Sequence, residues 1–156
     1  MRHMKKLLSL TAVMVLAACT DNGVLNPNDI EGTYQLTIWA DNSIPITFNV
    51  QPGEDSEIPN GGTWRVTGGT LELDSDGTFV ETNFITKTPT GGSSFTSNFV
   101  STGTYSFDGF NIDFEAPAQN QFSARSFTGT VSADERIRYH EFDSASGQNL
   151  LYEYRR

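Results

Sequence analysis

The first residue with evident chemistry is a cysteine near the start of the chain. Cys19 is the only cysteine in the sequence, and it directly follows Leu16, Ala17 and Ala18. A cysteine forms a thiolate, which is a nucleophile, and small neighbouring residues leave the backbone accessible to a peptidase. Cys19, with small residues directly before it, is therefore the first candidate for covalent chemistry in this chain.

The residues before Cys19 have the three-part character of an export signal. Arg2, Lys5 and Lys6 give a positive start, and residues 7–18 form an apolar run with only two polar interruptions. As a helix this run rises about 18 Å, well short of the roughly 30 Å hydrocarbon core of a bilayer. We therefore expect residues 1–18 to be a signal peptide and not a transmembrane helix.

The segment Leu16-Ala17-Ala18-Cys19 resembles the lipobox of bacterial lipoproteins. The resemblance implies cleavage after Ala18 and a diacylglyceryl group on the Cys19 sulfur. Residues 19–29 then form a flexible tether, residues 30–156 one domain, and the lipid anchors the protein in the cell envelope. Thr20 follows the cysteine where an Asp would retain the protein in the inner membrane, so the outer membrane is favoured if the host has two membranes.

The other reactive side chains have structural interpretations. His140 is the only histidine after the signal, and no motif supplies it with a catalytic partner. Asp74-Ser75-Asp76-Gly77 begins like a calcium loop, but Ile85 stands where such a loop needs a bidentate Glu, so a hairpin turn is favoured. The acidic segment Glu54-Asp55-Ser56-Glu57 is expected to be a solvated loop. We expect no catalytic residue, no metal site and no cofactor beyond the covalent lipid on Cys19.

Charge and composition limit the partners of the domain. Three of the ten Lys and Arg residues leave with the signal and all nineteen Asp and Glu residues remain, so the formal net charge falls from −9 to −12. This balance excludes nucleic acid, whose phosphates require clustered cations. Eleven Phe, two Trp and five Tyr supply the apolar core.

The elements that must position these residues are β-strands. Apolar residues alternate with polar ones at a period of two, as in Phe110, Ile112 and Phe114, and Asp76-Gly77 and Asp108-Gly109 are hairpin signals. The pattern predicts eight to ten antiparallel strands joined mostly by short turns. A long meander leaves two unpaired edges unless it closes, which favours a single up-and-down β-barrel over the alternative, a β-sandwich.

The domain resembles the lipocalin-like lipoproteins of bacteria. The resemblance rests on Gly32-Thr33-Tyr34 at the first strand, on segments 76–79 and 103–109, and on a final strand that ends in arginines. It implies that Tyr34 takes the place of the family's barrel-closing Trp, covered by Arg155 or Arg156; we select Arg155. It also implies a lumen for an apolar ligand, although a small barrel is more often filled by its own side chains. The side chains expected to line such a lumen are Phe99, Tyr105, Phe110, Ile112 and Phe114.

The sequence thus predicts a non-enzymatic, membrane-anchored envelope protein that binds a small apolar ligand. The alternative is a protein-interaction or assembly module without a ligand cavity, which would show an exposed apolar patch near its loops. A third class, an envelope hydrolase, would require acidic residues or His140 to converge in a pocket.

Overall fold

The computed structural model describes residues 25–119, 123–144 and 146–156. The predicted signal peptide, Cys19 and the first part of the tether lie outside these ranges. Within them, a short 3-10 turn (Pro27–Asp29) precedes ten β-strands. The strands are β1 (Gly32–Trp39), β2 (Asn42–Ser43), β3 (Ile46–Val50), β4 (Gly62–Leu73), β5 (Thr78–Pro89), β6 (Phe95–Phe107), β7 (Asn111–Ala116), β8 (Arg125–Ser132), β9 (Arg136–Asp143) and β10 (Gln148–Arg155).

Eight of the described strands form a closed antiparallel barrel. From β4 to β10 each strand pairs with its neighbour in sequence, and β1 pairs with both β10 and β4. This ring confirms the predicted all-β, up-and-down barrel and is consistent with a lipocalin-like fold. Closure leaves no free edge along most of the ring, which is why the meander adopts it. Among the described residues no helix is long and apolar enough to cross a membrane.

Two of the tight turns follow directly from the sequence. In the β4–β5 turn Gly77 has φ +81°, and the Asp76 carboxylate accepts hydrogen bonds from the backbone and hydroxyl of Thr78. In the β6–β7 turn Gly109 has φ +100°, and Asp108 accepts from the Asn111 backbone. Glycine adopts positive φ without strain, and the Asp side chain completes each turn. Both hairpin predictions are confirmed.

The two ends of the barrel differ, and we call them the closed end and the open end. At the closed end β1 pairs with β4 over Gly32–Gln35. Beyond that the two strands separate, and the short strands β2 and β3 continue the edges of β1 and β4 instead. The separation leaves a mouth at the open end, beside the loop of residues 51–61.

A ladder of aromatic rings fills the barrel from the closed end upward. Neighbouring centroids lie 4.4–5.3 Å apart in stacked, tilted and edge-to-face arrangements, which aromatic rings prefer. The members are, in order, Phe79, Phe114, Phe127, Tyr139, Tyr152 and Trp39. The lower part of the lumen is therefore solid core, and the ladder ends at the mouth.

Candidate functional site

The closed end is sealed around Tyr34. Its ring is buried, its hydroxyl donates a 2.8 Å hydrogen bond to the Ile30 carbonyl, and the Arg156 guanidinium lies 5.4 Å from the ring centroid. Arg155 instead bonds Glu153 on the outer face, at 2.7 Å. The selection of Arg155 is therefore corrected to Arg156. Side chains alternate along a strand, and the buried Tyr154 on β10 places Arg156, not Arg155, on the inner side.

The predicted lining residues occupy three different environments. Ile112 and Phe114 are fully buried in the solid core, and Tyr105 is half-buried, with its hydroxyl donating to the Asp74 carbonyl at the closed end. Phe110 is 60 % exposed, so its assignment to the lumen is wrong. It lies in the β6–β7 turn before β7 begins, where the alternation of the strand does not extend. Phe99 does line a cavity.

That cavity lies inside the open end of the barrel. It has a volume of about 230 Å³. Its lining residues are Trp39, Trp64, Glu81, Asn83, Phe99, Val100, Ser101, Arg125, Glu141 and Tyr152. A larger and more open groove of about 740 Å³ is lined by residues of β5, β6, β7 and β8, and Arg125 borders both spaces.

Aromatic rings form one side of the cavity. Trp39 meets Tyr152 edge to face at 5.3 Å, and Trp64 meets Phe99 at 5.6 Å with the rings tilted. A second cavity of about 290 Å³ nearer the mouth is also lined by Trp39, Trp64 and Tyr152. These three rings therefore separate the inner cavity from an outer vestibule.

Charged side chains form the other side. Arg125 reaches inward from β8, with Nη2 2.6 Å from Glu81 Oε2 and Nη1 3.0 Å from Glu141 Oε1. The second oxygen of Glu81 accepts hydrogen bonds from the hydroxyls of Tyr139 (2.5 Å) and Tyr154 (2.7 Å). Glu81 is thus buried and fully engaged, as a buried carboxylate must be.

The ionisation of this network follows from its burial. Burial raises the pKa of Glu141, against the opposing effect of Arg125. Burial would lower the pKa of Arg125, but the charges of Glu81 and Glu141 outweigh it and hold that pKa above its ordinary value. The pKa values of Tyr139 and Tyr154 are raised, first by burial and then by the Glu81 charge. Arg125 is therefore charged at neutral pH, while both phenols remain protonated donors.

A second ionic cluster fixes the acidic loop over the mouth. The buried Lys87 ammonium binds Asp55 at 2.8 Å and Glu57 at 2.5 Å, and Trp64 Nε1 donates to Asp55 at 2.7 Å. The same ammonium lies 5.0 Å from the Trp64 ring and 5.1 Å from the Phe99 ring. The prediction that this loop is merely solvated is wrong for Asp55, which is 7 % exposed.

The remaining candidates lie elsewhere. His140 is exposed on the outer face of β9, and Asp74 and Asp76 lie in the exposed β4–β5 turn. Within residues 25–119, 123–144 and 146–156, no group of three or more His, Cys, Asp or Glu side chains is placed to hold a metal ion.

Of the residues that line the cavity, the sequence analysis named only Phe99. It missed the polar residues and also the aromatic rings of Trp39, Trp64 and Tyr152. Glu81, Asn83 and Lys87 alternate with Thr82, Phe84 and Thr86 along β5 and share the inner face with buried Phe79 and Ile85. That period-two spacing could have placed the three polar side chains of β5 on the inner face. The residues around Arg125 and Glu141 do not identify these two as the ionic partners. A search of family models, of curated proteins and of solved structures found no match to this chain.

Proposed function

We propose that this protein is a non-enzymatic, lipid-anchored lipoprotein of the cell envelope whose lipocalin-like barrel binds a small ligand. The observation that carries the proposal is the cavity of about 230 Å³ at the open end. Ligand sites are concave, mostly apolar and furnished with a few convergent polar groups. Aromatic rings facing the Glu81–Arg125–Glu141 network match this description.

The dimensions of the cavity favour a compact ligand. Pockets for drug-sized molecules occupy roughly 300–1,000 Å³, and this cavity is smaller. Between the cavity and the closed end, the rings of the aromatic ladder occupy the lumen. A long acyl chain therefore has no room to extend along the barrel axis, and the simple expectation of an apolar ligand becomes one of a small ligand with a polar group.

The membrane anchor is supported by the chain's first residues alone. The lipobox-like segment 16–19, the positive start and the short apolar run together favour export and lipidation at Cys19. One acyl chain holds a protein only marginally, whereas two or more anchor it stably. The lipid would place the protein in the envelope, in the outer membrane if the host has two.

The rival function as an interaction module receives less support. The most exposed large apolar residues, Phe110 and Phe142, lie at opposite ends of the barrel, Phe110 in the β6–β7 turn and Phe142 near the end of β9. Isolated apolar side chains are normal on protein surfaces and do not by themselves indicate a binding patch.

Native mass spectrometry of the protein purified from its own host's envelope tests the proposal. We expect the mass of the lipid-modified chain plus a stoichiometric small-molecule adduct. Ser101→Leu, which fills part of the cavity, should lose the adduct, while Asn98→Leu on the outer face of the same strand should keep it. The proposed cavity site would be refuted if the wild-type chain carried no adduct, or if the Ser101→Leu variant carried as much adduct as the wild type. Unmodified Cys19 would refute the anchor.

A further inference from the structure

We infer that the ligand of this cavity is a small organic cation, an amine or quaternary ammonium group attached to a compact apolar body. The inference deepens the proposed function and rests on it. It depends on three features of the cavity: its charge balance, the unfilled acceptor capacity of one carboxylate, and its aromatic lining.

The charge balance of the cavity is negative. Among its described lining residues, Glu81 and Glu141 are acidic and Arg125 is the single base. The two terminal nitrogens of the guanidinium are already engaged, one with Glu141 and the other with Glu81 and Ser101. An anionic ligand would have to approach two carboxylates to reach one neutralised cation. A cationic ligand would instead add the positive charge that Arg125 alone does not supply to the two carboxylates.

The carboxylate with spare acceptor capacity is Glu141. Both of its oxygens receive the same donor, Arg125 Nη1, at 3.0 and 3.2 Å. A carboxylate has about four acceptor positions, so Glu141 retains positions that Glu81, with three separate donors, has largely filled. The Glu141 side chain is 25 % exposed and lines the cavity. An ammonium group in the cavity would give it a charge-assisted hydrogen bond, the stronger kind.

The aromatic walls favour the same chemistry. Rings of Trp39, Trp64, Phe99 and Tyr152 line the same cavity as Glu141. A cation over an aromatic face is attracted by the ring quadrupole, most strongly by Trp, and the effect grows when the site is desolvated. The protein already uses this interaction at the mouth, where the Lys87 ammonium lies against Trp64 and Phe99.

The third nitrogen of the Arg125 guanidinium, Nε, is a buried donor without an acceptor among the described residues. It calls for one acceptor, such as a hydroxyl or water oxygen. Because the guanidinium charge is already matched by two carboxylates, this donor does not require an anion.

The test uses three probes that share a phenyl ring and differ in charge: 2-phenylethylamine, 2-phenylethanol and 3-phenylpropanoate. Binding to the full chain is followed by tryptophan fluorescence, because Trp39 and Trp64 are the only tryptophans and both line the cavity. We expect the amine to bind at least about tenfold more tightly than the alcohol, and the carboxylate more weakly than either. Tighter binding of the carboxylate, or equal binding of amine and alcohol, would overturn the inference.

A variant locates the charge recognition. Glu141→Gln should bring the affinity for the amine to within about threefold of that for the alcohol, and Glu72→Gln on the outer face of β4 should change neither. An unchanged preference for the amine in Glu141→Gln would also overturn the inference. If this variant does not fold, the ranking of the three probes on the wild-type protein still decides.

The two proposals fail in different ways. A host-derived adduct combined with no preference for the amine would overturn the cationic ligand alone. Absence of the host-derived adduct from the wild-type chain would overturn the ligand-binding function itself, whatever the ranking of the probes.

Discussion

Glu81 is the side chain on which the inner network depends, and replacing it with glutamine is the sharpest test of the structure. In the Glu81→Gln variant the amide oxygen is able to keep the two hydrogen bonds from Tyr139 and Tyr154. The amide nitrogen then faces Arg125 Nη2, which lies 2.6 Å from the carboxylate oxygen it replaces. The substitution thus sets one donor against another inside the barrel and removes a charge from a buried pair.

The magnitude follows from the exposure of the two partners. Removing one member of a buried ion pair costs about 3–5 kcal/mol, because the other charge is left without compensation. Here Arg125 is 25 % exposed and keeps Glu141 as a partner. We therefore expect a loss near the lower limit, about 3 kcal/mol in the free energy of unfolding. Tyr154→Phe should cost about 1.5–3 kcal/mol, because it removes a hydrogen bond to a charged group.

Urea unfolding followed by circular dichroism measures both effects, and the slope with denaturant should remain that of the wild type. The matched control is Glu72→Gln, which replaces an exposed, outward carboxylate on neighbouring β4. It should change the free energy of unfolding by no more than about 0.5 kcal/mol. In the Glu81→Gln background, Tyr154→Phe should cost less than it does alone, because the charged acceptor has gone. If Glu81→Gln and Glu72→Gln had the same free energy of unfolding, the inward placement of the Glu81 carboxylate would be refuted.

Two further predictions concern the ends and the outer face of the barrel. Arg156→Ala should lower the free energy of unfolding by about 1–2 kcal/mol, since it removes the cation over Tyr34 and the ion pair with Glu135, while the exposed Arg65→Ala should change it by less than about 0.5 kcal/mol. Equal melting curves for these two variants would refute the seal at the closed end. Burial would raise the pKa of Glu153, but hydrogen bonds from Arg155, Arg138 and Thr37 outweigh it and hold that pKa below its ordinary value of 4.5. A lowered carboxyl pKa stabilises the fold above the unfolded value and loses that contribution as the pH falls through the folded value. Glu153→Gln should therefore narrow the difference between the urea midpoints at pH 7 and pH 3, and an unchanged difference would contradict the assignment.

Local chemistry accounts for the parts of the fold that the sequence predicted. The Asp-Gly turns hold because glycine adopts positive φ and the aspartate bonds within the same few residues. Closure follows because a long meander with two free edges is unstable towards pairing. Two of the errors, Phe110 and Arg155, occur where the alternation of a strand ends. Phe110 lies one residue before β7, and Arg155 was assigned to the wrong face by a shift of one position, which reverses every side chain of a strand.

The cavity itself was less predictable because its residues meet only through the closed barrel. Glu81 is 44 residues from Arg125 and 58 from Tyr139. On β5 both faces contain apolar residues, Phe79 and Ile85 inward and Val80 and Phe84 outward, so hydrophobicity alone does not select the inner face. The choice is made by partners on β8, β9 and β10, which supply donors for a buried carboxylate. No window of neighbouring residues contains that information.

The positions of the seal and the mouth have a consequence for the direction of ligand exchange. Leu25 packs against the core at the closed end, and Cys19 lies six positions before it, a reach of at most about 22 Å. The eight residues of β1 rise about 26 Å towards the mouth. With a lipid on Cys19, as proposed, the sealed base would stay near the bilayer and the cavity would open towards the aqueous compartment. Such a protein would sample solutes in the water beside its membrane and would not extract molecules from the lipid beneath it.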